Sequence, residues 1–104
     1  MGAGLSKQEQ YRIVYRELQK IRLELALKGV ESRYKKGSLF GQKGSDVFMV
    51  FFGRSNASNG ECFLWPQAET NIGGQWANYN GVEWMDKPSF RKNALPVILE
   101  HFKQ

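Results

Sequence analysis

The sequence predicts an α+β domain: an N-terminal helix, an antiparallel sheet of about four or five strands, and a C-terminal helix, with both helices on one face of the sheet. Three observations predict it. Tyr11, Val14, Leu18, Ile21 and Leu25 recur at steps of 3, 4, 3 and 4, the spacing of one helical face. Val47, Met49 and Phe51 alternate with Phe48, Val50 and Phe52, so an extended segment is apolar on both sides. Asn80-Gly81 lies between two alternating segments and is the favoured pair for a type I′ hairpin turn, which needs positive φ at both positions.

The first helix is expected from Lys7 to Lys28, after a flexible lead-in over residues 1–6. Ser6 is its N-cap, Glu9 completes a capping box, and Gly29 stops it. Its apolar stripe lasts only two heptads, which suits packing on a sheet better than a coiled coil. Val30 to Lys36 reads as a strand with Val30, Ser32 and Tyr34 on one side and Glu31, Arg33 and Lys35 on the other. The following "KKGSLFGQKGS" is rich in Gly, Ser and Lys, and the adjacent pair Leu39–Phe40 sets no period, so it reads as a mobile basic loop.

Asp46 to Phe52 is a central strand, expected to be covered on both faces. Gly53 to Gly60 forms a polar turn, Glu61 to Trp65 returns as the antiparallel partner, and Pro66 to Gly74 is irregular. Closing the Asn80-Gly81 turn puts Tyr79, Ala77, Val82 and Trp84 on one face and Trp76, Asn78, Glu83 and Met85 on the other. In the last segment, either Asn93 caps a helix from Ala94 to Lys103, or a helix starting near Ser89 kinks at Pro96. Leu95, Ile98, Leu99 and Phe102 supply its core face in both cases.

A chain of 104 residues makes a single domain, residues 1–104, able to bury a core without disulfide or metal. Several chemistries are excluded. Cys62 has no second cysteine to pair with, and its apolar setting suits a buried, inert thiol. With His101 the only histidine, a zinc site of Cys/His type cannot form in one chain, and His101 reads as a helix-end residue. The Gly- and Lys-rich stretch lacks the spacing of a phosphate-binding loop. No cofactor is expected. No apolar run approaches the ~18–20 residues that span a bilayer, and residues 1–30 carry charges throughout, so the expected location is the cytoplasm, with no membrane partner. Gly2 followed by Ser6 fits a myristoylation pattern that is common by chance, and Asn56-Ala57-Ser58 is a glycosylation sequon with meaning only in a secreted protein.

The net charge of +5 is segregated. Residues 1–45 hold ten Lys/Arg against four acids, residues 46–86 hold one against five, and residues 87–104 hold four against one. Arg12, Arg16 and Lys20 are spaced four apart on the first helix, away from its apolar stripe, and Arg33, Lys35, Lys36 and Lys43 continue the charge through a stretch without acids. Clusters of this kind bind polyanion backbones, so the leading expectation is a small basic module binding nucleic acid with weak or no sequence specificity, with Arg91 and Lys92 extending the patch. Glu9, Glu17 and Glu24 offer local partners to Arg12, Lys20 and Lys28. Trp65, Trp76, Tyr79 and Trp84 suit either base stacking or a core, the core being the commoner use. The alternative is a protein-interaction or homodimerisation domain using the aromatic, acidic sheet.

A further alternative comes from a resemblance. A helix, a basic glycine-containing loop, Asp46 opening an apolar strand and Glu61 on the next strand resemble the Holliday-junction-resolvase branch of the PD-(D/E)xK nucleases. The resemblance implies a divalent ion held by Asp46 and Glu61. The position of the motif's lysine is Phe63, and no proline precedes Asp46. The plainer reading makes Asp46 a strand-entry turn residue and Glu61 a solvent-facing one.

Overall fold

The computed structural model describes residues 6–56, 58–80 and 90–104, with Asn56 described by its backbone alone. The elements run α1 (Lys7–Leu27), β1 (Arg33–Lys35), β2 (Ser38–Lys43), β3 (Asp46–Asn56), β4 (Cys62–Ile72), β5 (Gln75–Tyr79), a π-helical turn (Phe90–Ala94) and α2 (Leu95–His101). The five strands pair antiparallel in chain order. This is the expected α+β architecture. The Asn80-Gly81 turn and the strand expected after it lie outside the described residues.

Helix α1 begins and ends where its punctuation dictates. The Ser6 Oγ accepts the Glu9 N–H at 3.1 Å, and the Ser6 hydroxyl donates back to the Glu9 carboxylate. At the other end Gly29 sits at φ 88°, its N–H bonds to Ala26 O, and the Val30 N–H bonds to Leu25 O, which is a Schellman stop. Val30 is fully buried there, so the same turn ends the helix and plants a core residue.

The stretch expected as a mobile loop is instead a strand and two tight turns. Lys35 pairs with Ser38 and Lys43 with Asp46, leaving the two-residue connections Lys36-Gly37 and Gly44-Ser45. Lys36, Gly37 and Gly44 all have positive φ, as such turns require. Gly41 faces Phe48 across the β2–β3 ladder, and a side chain on Gly41 would collide with the Phe48 ring. The glycines are therefore strand and turn residues, and Leu39 alone supplies the buried anchor of β2.

Strand β4 also runs further than expected, through the segment read as irregular. Pro66 lies beyond the β4–β5 pairing, which ends at Ala68 with Tyr79, and no described strand pairs with the outer edge of β4 there. Past that point β3 and β4 pair only with each other among the described strands, forming a two-stranded arm. At the C-terminus, Pro96 has no N–H to donate, and the chain winds wider over Phe90–Ala94 before tightening into α2. The helix start at Phe90 fits the second of the two expected arrangements. Asn93 makes no cap.

A single core joins the pieces: Leu18, Ile21 and Leu25 of α1, Leu39, Phe48, Val50 and Ala68 of the sheet, and Phe90, Ala94, Leu95, Ile98 and Phe102 at the C-terminus. The Phe48 and Phe102 rings meet edge-on at 4.8 Å. The Gln104 N–H bonds to Gly29 O, tying the chain end to the turn after α1. Every sheet residue in this core lies on the same side of the strands, so both helices cover one face. Among the described residues, no element packs on the other face of β3, so one of its two expected coverings is present.

Candidate interaction surface

Direct pairing defines the open face, the one that no described element covers. Residues opposite one another in an antiparallel ladder point the same way, so the rows can be read across the strands. Leu39, Val50 and Ala68 form one row and are buried beneath the helices. The next row, Arg33–Phe40–Met49–Glu69–Asn78, must then point to the opposite face. Lys35–Ser38–Phe51–Gln67 and Gln42–Val47–Asn71–Trp76 flank it. The open face thus carries Phe40, Val47, Met49 and Phe51 at its centre, all half-buried. Trp76 at the β5 edge is 63% exposed.

The arm continues this face with Gly53 opposite Trp65 and Ser55 opposite Phe63. A side chain on Gly53 would collide with Gln67, and Trp65 Cζ2 would lie 2.9 Å away, so both side chains fold down over the Gly53 backbone. The Trp65 indole N–H is buried in this arrangement with no hydrogen-bond acceptor. An orphaned buried donor of this kind costs about 1–3 kcal/mol. Phe63, further out, is 38% exposed.

The cations do not share a side. Arg12, Arg16 and Lys20 stand on the outer surface of α1, away from Leu18, Ile21 and Leu25, and all three are exposed. Arg33 and Lys35 project from β1 to the open face, beneath the sheet as seen from α1. Between them Tyr34 turns to the helix side, where its ring meets Tyr15 edge-on at 4.7 Å. Lys20 pairs with Glu17 at 2.9 Å. Arg91 makes a two-pronged contact with Glu24 at 3.1 Å, and Lys28 approaches the same carboxylate at 3.7 Å. The Arg91 hydrogen bonds, more than Coulomb attraction, hold the Glu24 carboxyl below its usual pKa. The Lys43 ammonium donates to Lys103 O at 2.8 Å, near the end of α2. Lys36 sits in the β1–β2 turn and Lys92 in the π-helical turn, both exposed. Arg12, Arg16, Arg33, Lys35, Lys36 and Lys92 make no ion pair with a described residue.

Asp46 and Glu61 are not brought together. They lie at opposite ends of the β3–β4 hairpin, ten residues apart along β3 and its turn-ward continuation, a distance of roughly 30 Å at strand rise. One ion cannot be held by both, and no metal-binding group of three His, Cys, Asp or Glu side chains exists among the described residues. Asp46 instead locks three elements. One carboxylate oxygen accepts the Gly73 N–H at 3.0 Å in the β4–β5 turn, and the other meets His101 Nε2 at 2.6 Å at the end of α2. The Gly73 bond, then the His101 bond, hold the Asp46 carboxyl below its ordinary value. Glu61 is exposed at the arm tip, where its own N–H bonds to Asn59 Oδ1.

The tryptophans also depart from a core assignment: Trp76 is exposed and Trp65 half-buried on the open face. Tyr79 packs against the core, and Trp84 lies outside the described residues. Cys62, on the arm, is half-buried. Residues that sequence reasoning did not select, Phe40, Met49 and Phe51, prove central to the open face. For Met49 and Phe51 the signal was present in the apolar double-sided alternation of β3; Phe40 lies on β2, where the sequence sets no period. No helix among the described residues is long and apolar enough to cross a membrane. Compared with known proteins, the chain matches no family model, no curated protein and no solved structure.

Proposed function

We propose that this chain is an interaction domain that binds a protein partner through the open face of its sheet. The observation that carries the reading is the central run of Phe40, Val47, Met49 and Phe51 on a face that no described element covers. Exposed faces of antiparallel sheets ordinarily alternate to polar residues, whereas protein contact surfaces are enriched in aromatic residues, methionine and arginine. Arg33 at the rim adds a directional contact to an apolar centre. A photo-crosslinking amino acid at Met49, with one at Arg16 as control, tests this in the cell that makes the protein. Adducts of defined mass from position 49 and none from position 16 are expected. No adduct from position 49, or equal yields from both, contradicts the reading.

A second reading keeps nucleic acid as the partner. It is supported by Arg33, Lys35 and Lys36, which make no ion pair with a described residue and lie beside the aromatic face, a combination suited to stacking single-stranded bases. Fluorescence anisotropy with single-stranded and duplex oligonucleotides at two salt concentrations discriminates. Affinity that falls steeply with salt and with Arg33→Ala favours nucleic acid, and none at low salt rejects it.

A further inference from the structure

Resting on that reading, we infer that the partner is a second copy of this chain, stacked face to face about a two-fold axis parallel to the strands. The reason lies in the central row. From β1 to β4 it runs Arg33, Phe40, Met49, Glu69: cation, apolar, apolar, anion. Such a row is its own complement. A two-fold axis passing between β2 and β3 sets β1 over β4 and β2 over β3 of the other copy. Arg33 then meets Glu69, and Phe40 meets Met49, in both halves at once, as an isologous contact demands. In the neighbouring row the same operation sets Lys35 over the Gln67 amide and Ser38 over Phe51. Turning the axis perpendicular to the strands sets Arg33 over Arg33 or leaves Glu69 without a cation, so the charge pattern selects one orientation.

The geometry also sets the strength. Stacked sheets lie about 10 Å apart, within the combined reach of arginine and glutamate side chains across the rim. Four strands about 4.8 Å apart, β1 three residues long and the others contributing about six each, present on the order of 300 Å² per copy, which belongs to the small, weak class of interfaces. Association in the micromolar range is the expectation.

Sedimentation equilibrium of the purified full chain across micromolar concentrations tests it, with Arg33→Glu, Glu69→Arg and the double exchange. The wild type dimerises, each single exchange weakens the dimer at least about tenfold, and the double exchange restores it by re-forming the pair with its signs reversed. Rescue in the double variant separates a lost contact from a lost fold. A wild type that stays monomeric, or a dimer that ignores both single exchanges, overturns the inference. The outcomes also separate it from the broader reading. A monomer whose position 49 still crosslinks to a different protein overturns only self-association. A dimer indifferent to the charge exchanges and to Met49→Lys, with no adduct from position 49, overturns both.

Discussion

The two faces of the central strand are built from equally apolar residues yet do different work. Phe48 and Val50, on the helix side, are completely enclosed by α1, α2 and the π-helical turn. Met49 and Phe51, one residue away on the same strand, are only half-buried. Alternation tells which residues share a side; it does not tell which side is covered by the same chain. Surplus hydrophobicity on a side that no described element covers is therefore informative.

The sharpest break between the faces is energetic. Phe48→Ala removes a ring packed against Phe102 and is expected to cost about 3–5 kcal/mol in urea unfolding. Met49→Ala is expected to cost no more than about 1 kcal/mol in the same experiment. Equal losses at the two positions mean that something does cover the second face. Next in size is Gly41→Ala, whose methyl group meets the Phe48 ring and forces it aside. A loss of about 1–3 kcal/mol is expected from this overpacking. The same substitution in an open loop has no ring to displace, so a neutral result argues against β2 being a strand.

Acidification sharpens the comparison at the sheet's end. The folded pKa of Asp46 is depressed by the Gly73 N–H and by His101, so its stabilising contribution is complete above the unfolded value near 3.8 and is lost as pH falls through the folded value. Asp46→Asn keeps an acceptor for Gly73 but removes that titration. Wild-type stability is expected to fall more steeply below about pH 4 than that of the variant. Parallel curves exclude the clamp. The smallest effect belongs to Glu24→Gln, which removes charge from an ion pair near the surface; a loss of up to about 1 kcal/mol, shrinking in high salt, is expected.

These contrasts also show what was legible in the sequence. The long helix was readable from stripe, cap and stop together, although Tyr11, first in the stripe, ends up 68% exposed. The β2 strand was not, because its phase rests on Leu39 and Gly41, and glycine under an aromatic ring carries no hydrophobic signal. Lys36-Gly37, Gly44-Ser45 and Gly73-Gly74 are as much hairpin turns as an Asn-Gly pair, yet each follows or precedes a strand of weak pattern. The scatter of the cations was hidden for a similar reason. Linear proximity joined Arg12 to Arg33, while strand alternation turned Arg33 away from the helix. For Asp46 and Glu61, proximity in sequence concealed the full length of a hairpin between them.

The most direct test of the account is Met49→Lys, measured for both unfolding free energy and self-association on the same preparation. A fold kept to within about 1 kcal/mol, with the dimer weakened by at least about tenfold, is predicted for a residue that serves contact rather than folding. A variant that unfolds like Phe48→Ala, or one that associates as strongly as the wild type, contradicts it.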